Sequence, residues 1–292
     1  MEEHLNQCPL CKSGHFTLYK KLKDFSVSQE SFRIVSCNHC GFRFTNPRPV
    51  ESELGKYYES EDYISHTNEG NNLINNLYKL ARIYTIQQKS RLIGKWGKKG
   101  RLLDIGCGTG EFIDYNKKLK WTVSGVEVND KARAQAEQLV QQPLFASLDA
   151  VTKEKQFQAI TLWHVLEHIS NLEESCLKIK ELLAPKGMLF VAVPNSESYD
   201  AQYYQEYWAA YDVPRHLYHF TQQTMEQWWR KFDMHIQAVV PMKLDAYYVS
   251  MLSEKHKTGK PNMAKASLVG LRSNLKARTS NNYSSLIYII SK

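Results

Sequence analysis

The sequence has no long apolar run. Its longest uninterrupted stretch, Met188–Val193, is far short of the ~20 residues that a membrane helix needs. It also lacks a basic start backed by an apolar segment. It opens Met1-Glu2-Glu3-His4, which argues against secretory and transit signals. No internal repeat or low-complexity tract is present. Charge is not in excess either: 23% of residues are charged and 42% are hydrophobic, so wholesale disorder is excluded and a core is expected. The expectation is a cytoplasmic protein with no membrane span. At 292 residues it holds one large domain, or one domain with small additions.

Acidic residues are scarce near the C-terminal end. Residues 241–292 hold nine Lys/Arg against only Asp245 and Glu254, a net +7 of the chain's +8. Such a face suits an anionic partner (nucleotide, nucleic acid or phospholipid headgroup), or is simply a solvated surface.

Cysteine is also sparse, but its placement is not random. Four of the six form Cys8-x2-Cys11, a gap of 25 residues, then Cys37-x2-Cys40. Two residues between thiolates allow a tight turn that aims both sulfurs at one tetrahedral Zn²⁺. Gly41 follows the second pair, where the backbone must turn. A cytoplasmic setting disfavours disulfides. With strand-like stretches at Phe16–Tyr19 and Phe32–Ser36, this segment resembles a zinc ribbon. Four thiolates leave no open coordination position, so the metal is expected to be structural. His39 is left spare.

Asn46-Pro47-Arg48-Pro49 reads as a stiff linker. Residues 51–96 read as helical, with Leu73, Leu77, Leu80, Tyr84 and Ile86 at an approximate helical period. From Gly100 strands and helices alternate. Strands are expected at Arg101–Ile105, Thr122–Glu127, Leu144–Ala146, Gln158–Trp163 and Met188–Val193, with a turn at Pro185-Lys186-Gly187. Two more are expected at His235–Val240 and Ser285–Ile290, with helices Asp245–Lys255 and Asn262–Lys276 between them. This alternation predicts an α/β fold, a doubly wound sheet with helices on both faces.

Residues 102–110 read Leu-Leu-Asp-Ile-Gly-Cys-Gly-Thr-Gly. A strand ends at Asp104, and the glycine turn opens a helix at the carboxyl edge of the sheet, where such folds bind ligands. Glu127 closes the next strand, 17 residues after Gly110. A carboxylate there can take both ribose hydroxyls of a nucleoside.

Asp104-Ile105-Gly106-Cys107-Gly108-Thr109-Gly110 resembles motif I of the class I S-adenosylmethionine-dependent methyltransferases, which have a Rossmann-like sheet. It differs from the dinucleotide fingerprint, which is spaced for a pyrophosphate. His164-Val165-Leu166-Glu167-His168-Ile169 resembles the post-strand-four motif, and Leu183-Ala184-Pro185-Lys186-Gly187 the turn before strand five. The resemblance spans about residues 99–292. It implies a donor site at Asp104, Gly106, Cys107, Gly108, Gly110, Glu127, Val128, Leu148, Asp149 and Trp163. One departure lies after strand three: the acid that usually meets adenine falls on Ser147, with Asp149 two residues later. The whole chain also resembles a bacterial subgroup with an N-terminal zinc ribbon and a segment like Asp212-Val213-Pro214-Arg215-His216-Leu217-Tyr218-His219-Phe220. The expected organisation is a ribbon at 1–48, a linker and helix at 49–98, and a methyltransferase domain at 99–292 with a helical insertion at about 243–280.

The acceptor is less legible. The chain has no Asn/Asp-Pro-Pro-Tyr after strand four, and neither Cys107 nor Cys176 stands where a carbon-methylating nucleophile would. His164 and His216 are the candidate bases, since imidazole titrates near neutrality. His168 and His219 read as structural. Arg215 suits a substrate anion or a pair with Asp212. Tyr199, Tyr203, Tyr204, Tyr207, Trp208 and Tyr211 form an aromatic run expected either to pack or to cover a planar acceptor. The expected reaction is methylation of O or C of a small metabolite, quinone-like, lipid-linked or sugar-derived. RNA methylation, using the ribbon and the basic end, is the alternative. A cofactor-binding module without chemistry is a third reading. Oligomeric state is not legible.

Overall fold

The structure is a computed structural model describing residues 1–58, 73–152 and 156–292, with side chains undescribed over 73–80. Twelve strands are present among them: β1 Glu2–Glu3, β2 Phe16–Lys23, β3 Ser31–Cys37, β4 Arg43–Thr45, β5 Arg48–Pro49, β6 Arg101–Ile105, β7 Thr122–Val126, β8 Phe157–Trp163, β9 Leu183–Pro194, β10 Tyr218–His219, β11 His235–Pro241 and β12 Ser285–Ser291.

Six of them make the main sheet, in the order β11-β12-β9-β8-β6-β7. β9, β8, β6 and β7 run parallel, while β12 is antiparallel to both β9 and β11. Leu189–Val193 has almost no exposed surface. That is the burial expected of a strand covered on both faces, and it is why this segment reads as a continuous apolar run. The architecture is the expected Rossmann-like α/β sheet with helices on both faces.

Three local expectations are corrected. Leu144–Ala146 is not a strand but a single bridge, Val126 to Phe145. Pro143 has no N–H to extend the ladder. Residues 185–187 do not form a free turn. They lie within β9 as a bulge, where pairing jumps from Phe157–Leu183 to Ala159–Met188. Pro185 cannot donate there, and a Cβ on Gly187 would stand 2.7 Å from the Phe157 carbonyl. The helix expected over 51–96 divides into Glu51–Leu54, a single tight turn at Gly55–Tyr58, and Leu73–Trp96. Residues 59–72 of that reading lie outside the described residues, as do the side chains of Leu73, Leu77 and Leu80. Tyr84 is exposed, and the buried face is Ser90 and Ile93.

The N-terminal segment is a second sheet, ordered β10-β4-β3-β2. Its fourth strand, β10, comes from far along the chain and pairs through Tyr218–Phe44 and His219–Arg43. A buried ion cluster reinforces the junction. Arg215 Nη2 lies 2.9 Å from Asp24 and 2.7 Å from Asp212, and Nη1 donates to the Tyr57 carbonyl at 2.8 Å. Helices Asp245–Thr258 and Met263–Ser280 lie between β11 and β12 in the chain and pack against each other. The second is tied down through Ser273, which donates to Asp200, a buried carboxylate that also accepts from Trp208 and Ser284, and the first through Ser253, which accepts from the Ala209 N–H. No helix among the described residues is long and apolar enough to cross a membrane.

Candidate active site

The carboxyl ends of β6, β7 and β8 lie side by side, because Ile105 pairs with both Val126 and Leu162. The loop Gly106–Gly110 leaves this edge. Gly106, Gly108 and Gly110 all take left-handed φ, at 71°, 55° and 88°. Gly106 is doubly constrained, since a Cβ would sit 2.4 Å from Val165. Helix Glu111–Lys118 follows at once. The last residue of β7 and the one after it anchor the loop: the Gly106 and Cys107 N–H groups donate to the Val126 carbonyl, and the Gly108 N–H donates to a Glu127 carboxylate oxygen at 2.8 Å. The other Glu127 oxygen accepts from the Asn129 N–H at 2.9 Å. Each oxygen retains a lone pair for a further donor.

Asp104 is buried beneath this loop and accepts from the Thr161 hydroxyl at 2.6 Å. Burial raises its pKa to about 7, against the opposing pull of the Thr161 hydrogen bond and Lys89. Burial lowers Lys89, whose ammonium lies 4.6 Å from the centre of the Trp163 ring. Trp163 closes β8 edge-on to Phe112, and its indole N–H has no partner among the described residues. Leu148 is half-buried and Asp149 exposed in the turn after Phe145, which is fixed by the Glu127 N–H donating to the Phe145 carbonyl. Val128 is largely exposed. Asp104, Gly106, Cys107, Gly108, Gly110, Glu127 and Trp163 therefore gather at one edge of the sheet, with Val128, Leu148 and Asp149 on its rim.

His164 follows β8 in a left-handed conformation, φ 60°. Its Nε2 is 3.2 Å from Asp245, the first residue of an insertion helix, and its Nδ1 is 3.5 Å from Glu167. Burial alone would lower this imidazole. The two carboxylates outweigh it and raise the pKa to about 9. His216 lies deeper, with Nδ1 2.9 Å from the Ala210 carbonyl and Nε2 4.0 Å from Glu167. His164 and His216 thus meet at the same carboxylate from different sides. His168, pushed down to about 4 by burial and by His216, stands 4.6 Å from the His216 ring. His219 Nε2 is 3.1 Å from the Thr45 hydroxyl, in the junction between the two sheets.

Two expectations about the pocket change. Arg215 is enclosed by Asp24 and Asp212 and presents nothing to a substrate. Tyr204, Trp208 and Tyr211 are not a cover but core, packed with Leu22, Phe32 and Ile34 of the N-terminal sheet. Sequence reasoning missed Lys89, Thr161 and the partnership of Asp245 with His164. None belongs to a local motif, and only folding brings them to the edge.

Away from the edge, the four cysteine sulfurs lie within 4.8 Å of one another. Cys8 and Cys40 are 3.6 Å apart, and Cys11 and Cys37 3.5 Å. Tetrahedral zinc with bonds of about 2.3 Å needs sulfurs roughly 3.8 Å apart. No disulfide links them. Burial raises Cys8 to about 11, while the Cys40 and His39 N–H groups draw Cys37 down to about 7 against its own burial. The donor set fits zinc.

A family profile described as a methyltransferase domain matches residues 78–239. The ubiquinone biosynthesis O-methyltransferase of Azoarcus sp. is 30% identical over 110 residues, 35% of this chain and 46% of its own length. The enzyme of the same name from Actinobacillus pleuropneumoniae is 32% identical over 127 residues, 39% and 52% respectively. The chain spans about half the length of the curated relatives it matches. Among solved structures, magnesium protoporphyrin IX methyltransferase from Synechocystis PCC 6803, with bound S-adenosylhomocysteine, superposes with a TM-score of 0.52 at 13% identity. That match covers 83% of this chain and 100% of the other.

Proposed function

The chain belongs to the methyltransferase-domain family, and on that premise we propose that it transfers the methyl group of S-adenosylmethionine to an oxygen of a small acceptor. One observation carries the reading. Asp104, the glycine turn and Glu127 converge at the carboxyl edge of the parallel strands, with the Gly108 N–H held by the Glu127 carboxylate. The sulfonium donor supplies an already activated methyl. Asp104 holds the donor's ammonium group, and Glu127 accepts from its ribose hydroxyls. Leu148 and Asp149 border its base, while Trp163 and Lys89 line the floor. His164, a cation near neutral pH beside its two carboxylates, and Asp245 hold the acceptor oxygen in line with the sulfonium, and the hydroxyl proton passes to the Asp245 carboxylate as the methyl moves from sulfur to oxygen. His216 reaches the site only through Glu167.

The named activity of the ubiquinone-pathway relatives favours oxygen over carbon and a small molecule over RNA. We assign the four thiols a structural zinc and, with it, propose a kinship to methyltransferases carrying an N-terminal zinc ribbon. The units proposed are a ribbon at 1–48, a linker and helix at 49–98, and a methyltransferase domain at 99–292 with its insertion at about 243–280.

The test is transfer of tritiated methyl from S-adenosylmethionine into phenolic small molecules and into cell extract, with and without ribonuclease. Label in a ribonuclease-resistant small-molecule fraction is expected. Label lost to ribonuclease points to RNA and overturns the reading. In His164→Ala and Asp245→Asn, kcat is expected to fall by about 10²–10⁴-fold, the usual worth of positioned proton transfer, with donor affinity retained.

A further inference from the structure

Glu167 carries a carboxylate that its surroundings do not account for. The residue is fully buried, yet neither oxygen accepts a hydrogen bond among the described residues. Its nearest cationic neighbour, His164 Nδ1, stands 3.5 Å away, beyond good hydrogen-bond distance. Buried carboxylates are normally hydrogen-bonded, paired or bound to metal.

Two imidazoles approach the same carboxylate. A ring nitrogen of His168, one of His216 and a Glu167 oxygen all lie within 4.8 Å of one another. Both rings are oriented from behind. His216 Nδ1 faces the Ala210 carbonyl at 2.9 Å, and His168 Nδ1 faces both the Tyr58 hydroxyl at 2.9 Å and the Arg215 carbonyl at 3.0 Å. A ring N–H given to a backbone carbonyl puts the proton on Nδ1 and the lone pair on Nε2. It is also the usual support behind a metal-bound histidine. Two imidazole rings and a buried carboxylate whose ionic partner, His164, stands 3.5 Å away thus form a cluster of metal-ligating atoms.

The cluster is held from both sides. The Leu217 N–H donates to the Glu167 carbonyl at 2.8 Å, and the His216 N–H to the Asp212 carbonyl at 2.9 Å. The first bond fastens the turn Leu166–His168 to the segment before β10, and the second closes a turn within that segment.

We propose that Glu167, His168 and His216 form a second metal site, for a divalent transition ion of the zinc type, separate from the four thiols. Two nitrogens and one oxygen suit such an ion better than magnesium or calcium, which take all-oxygen sets. Donors around four-coordinate zinc lie roughly 3.3 Å apart, given bonds of about 2.0–2.1 Å, so closure takes movements of the order of an ångström. Three protein ligands leave a fourth position for an outside oxygen. That this oxygen belongs to the methyl acceptor rests on the function proposed above; the metal site itself does not.

The experiment uses the full chain, stripped with a chelator and refilled with cobalt(II), with bound metal counted by elemental analysis. Two equivalents are expected. One gives the strong thiolate-to-cobalt absorption of the four-cysteine site, and the other only weak bands of a nitrogen–oxygen site. His216→Ala and Glu167→Gln are expected to hold one equivalent with the thiolate absorption intact. Cys40→Ser is expected to lose that absorption and keep the second equivalent. Wild-type protein that binds a single equivalent, all of it through thiolates, overturns the site, and this result needs no variant to fold. So do folded variants that still hold two. Two equivalents in a protein that methylates nothing support the metal site and remove only the acceptor role.

Discussion

In the donor site proposed for this chain, Asp104 is the residue whose ionisation matters most. Its raised pKa, about 7 and chiefly from burial, means that it is a carboxylate above that pH and a neutral acid below it. Only the carboxylate pairs with an ammonium group. Affinity for S-adenosylhomocysteine, measured by calorimetry, is therefore expected to level off above about pH 7 and to fall toward tenfold per unit below it. In Asp104→Asn it is expected to be weak and flat over the same range. The sign for stability is the opposite. The folded form binds this proton more tightly than the unfolded chain, whose value is near 3.8, so acidification through this window favours folding at this one group.

The glycines separate two constraints. Gly106→Ala combines a left-handed φ with a Cβ 2.4 Å from Val165 and is expected to cost about 1–3 kcal/mol by thermal unfolding. Gly108→Ala meets open space. It is expected to cost less stability and to show its effect in donor affinity.

At the scale of elements, the junction between the two sheets depends on β10 and Arg215. Arg215 neutralises Asp24, which is fully enclosed, and Asp212, and its hydrogen bonds hold Asp24 below the ordinary carboxylate range against the cost of burial. Removing the guanidinium strands both carboxylates. Arg215→Ala is expected to lower stability by roughly 3–5 kcal/mol in urea unfolding. Adding Asp24→Asn to it is expected to recover part of that loss, because the worst of the uncompensated charge is then gone. A surface pair such as Lys118–Asp114 is expected to contribute under about 1 kcal/mol.

For the whole molecule, the thiol cluster and the proposed donor edge belong to different sheets, joined by the chain after β9, which enters the N-terminal sheet as β10, and by the Arg215 cluster. Stripping metal from the thiols is therefore expected to lower the Tm of the entire chain in a single transition. The donor cradle uses no residue of the N-terminal sheet. Below that transition, affinity for S-adenosylhomocysteine is expected to change by less than about threefold, as for distant sites without shared partners. Loss of donor binding in a still-folded chain contradicts that separation.

What the sequence determined by itself was local. Strand β6 at Arg101–Ile105, the glycine turn behind it and the acid ending the next strand are encoded within a few residues by apolar runs and by positions that tolerate left-handed φ. The two Cys-x2-Cys turns are likewise local, and one hairpin is enough to bring them together. The tertiary structure decided whatever depends on residues far apart in the chain. Asp24 meets Arg215 across 191 positions, and Asp245 reaches His164 only because the chain leaving β11 brings the start of its helix beside the end of β8. The aromatic run 199–211 became core, not a cover, because the N-terminal sheet supplies the apolar surface it packs against. No periodicity within 199–211 encodes that surface. The cluster of Glu167, His168 and His216 was equally illegible, since only packing brings His216 to the other two.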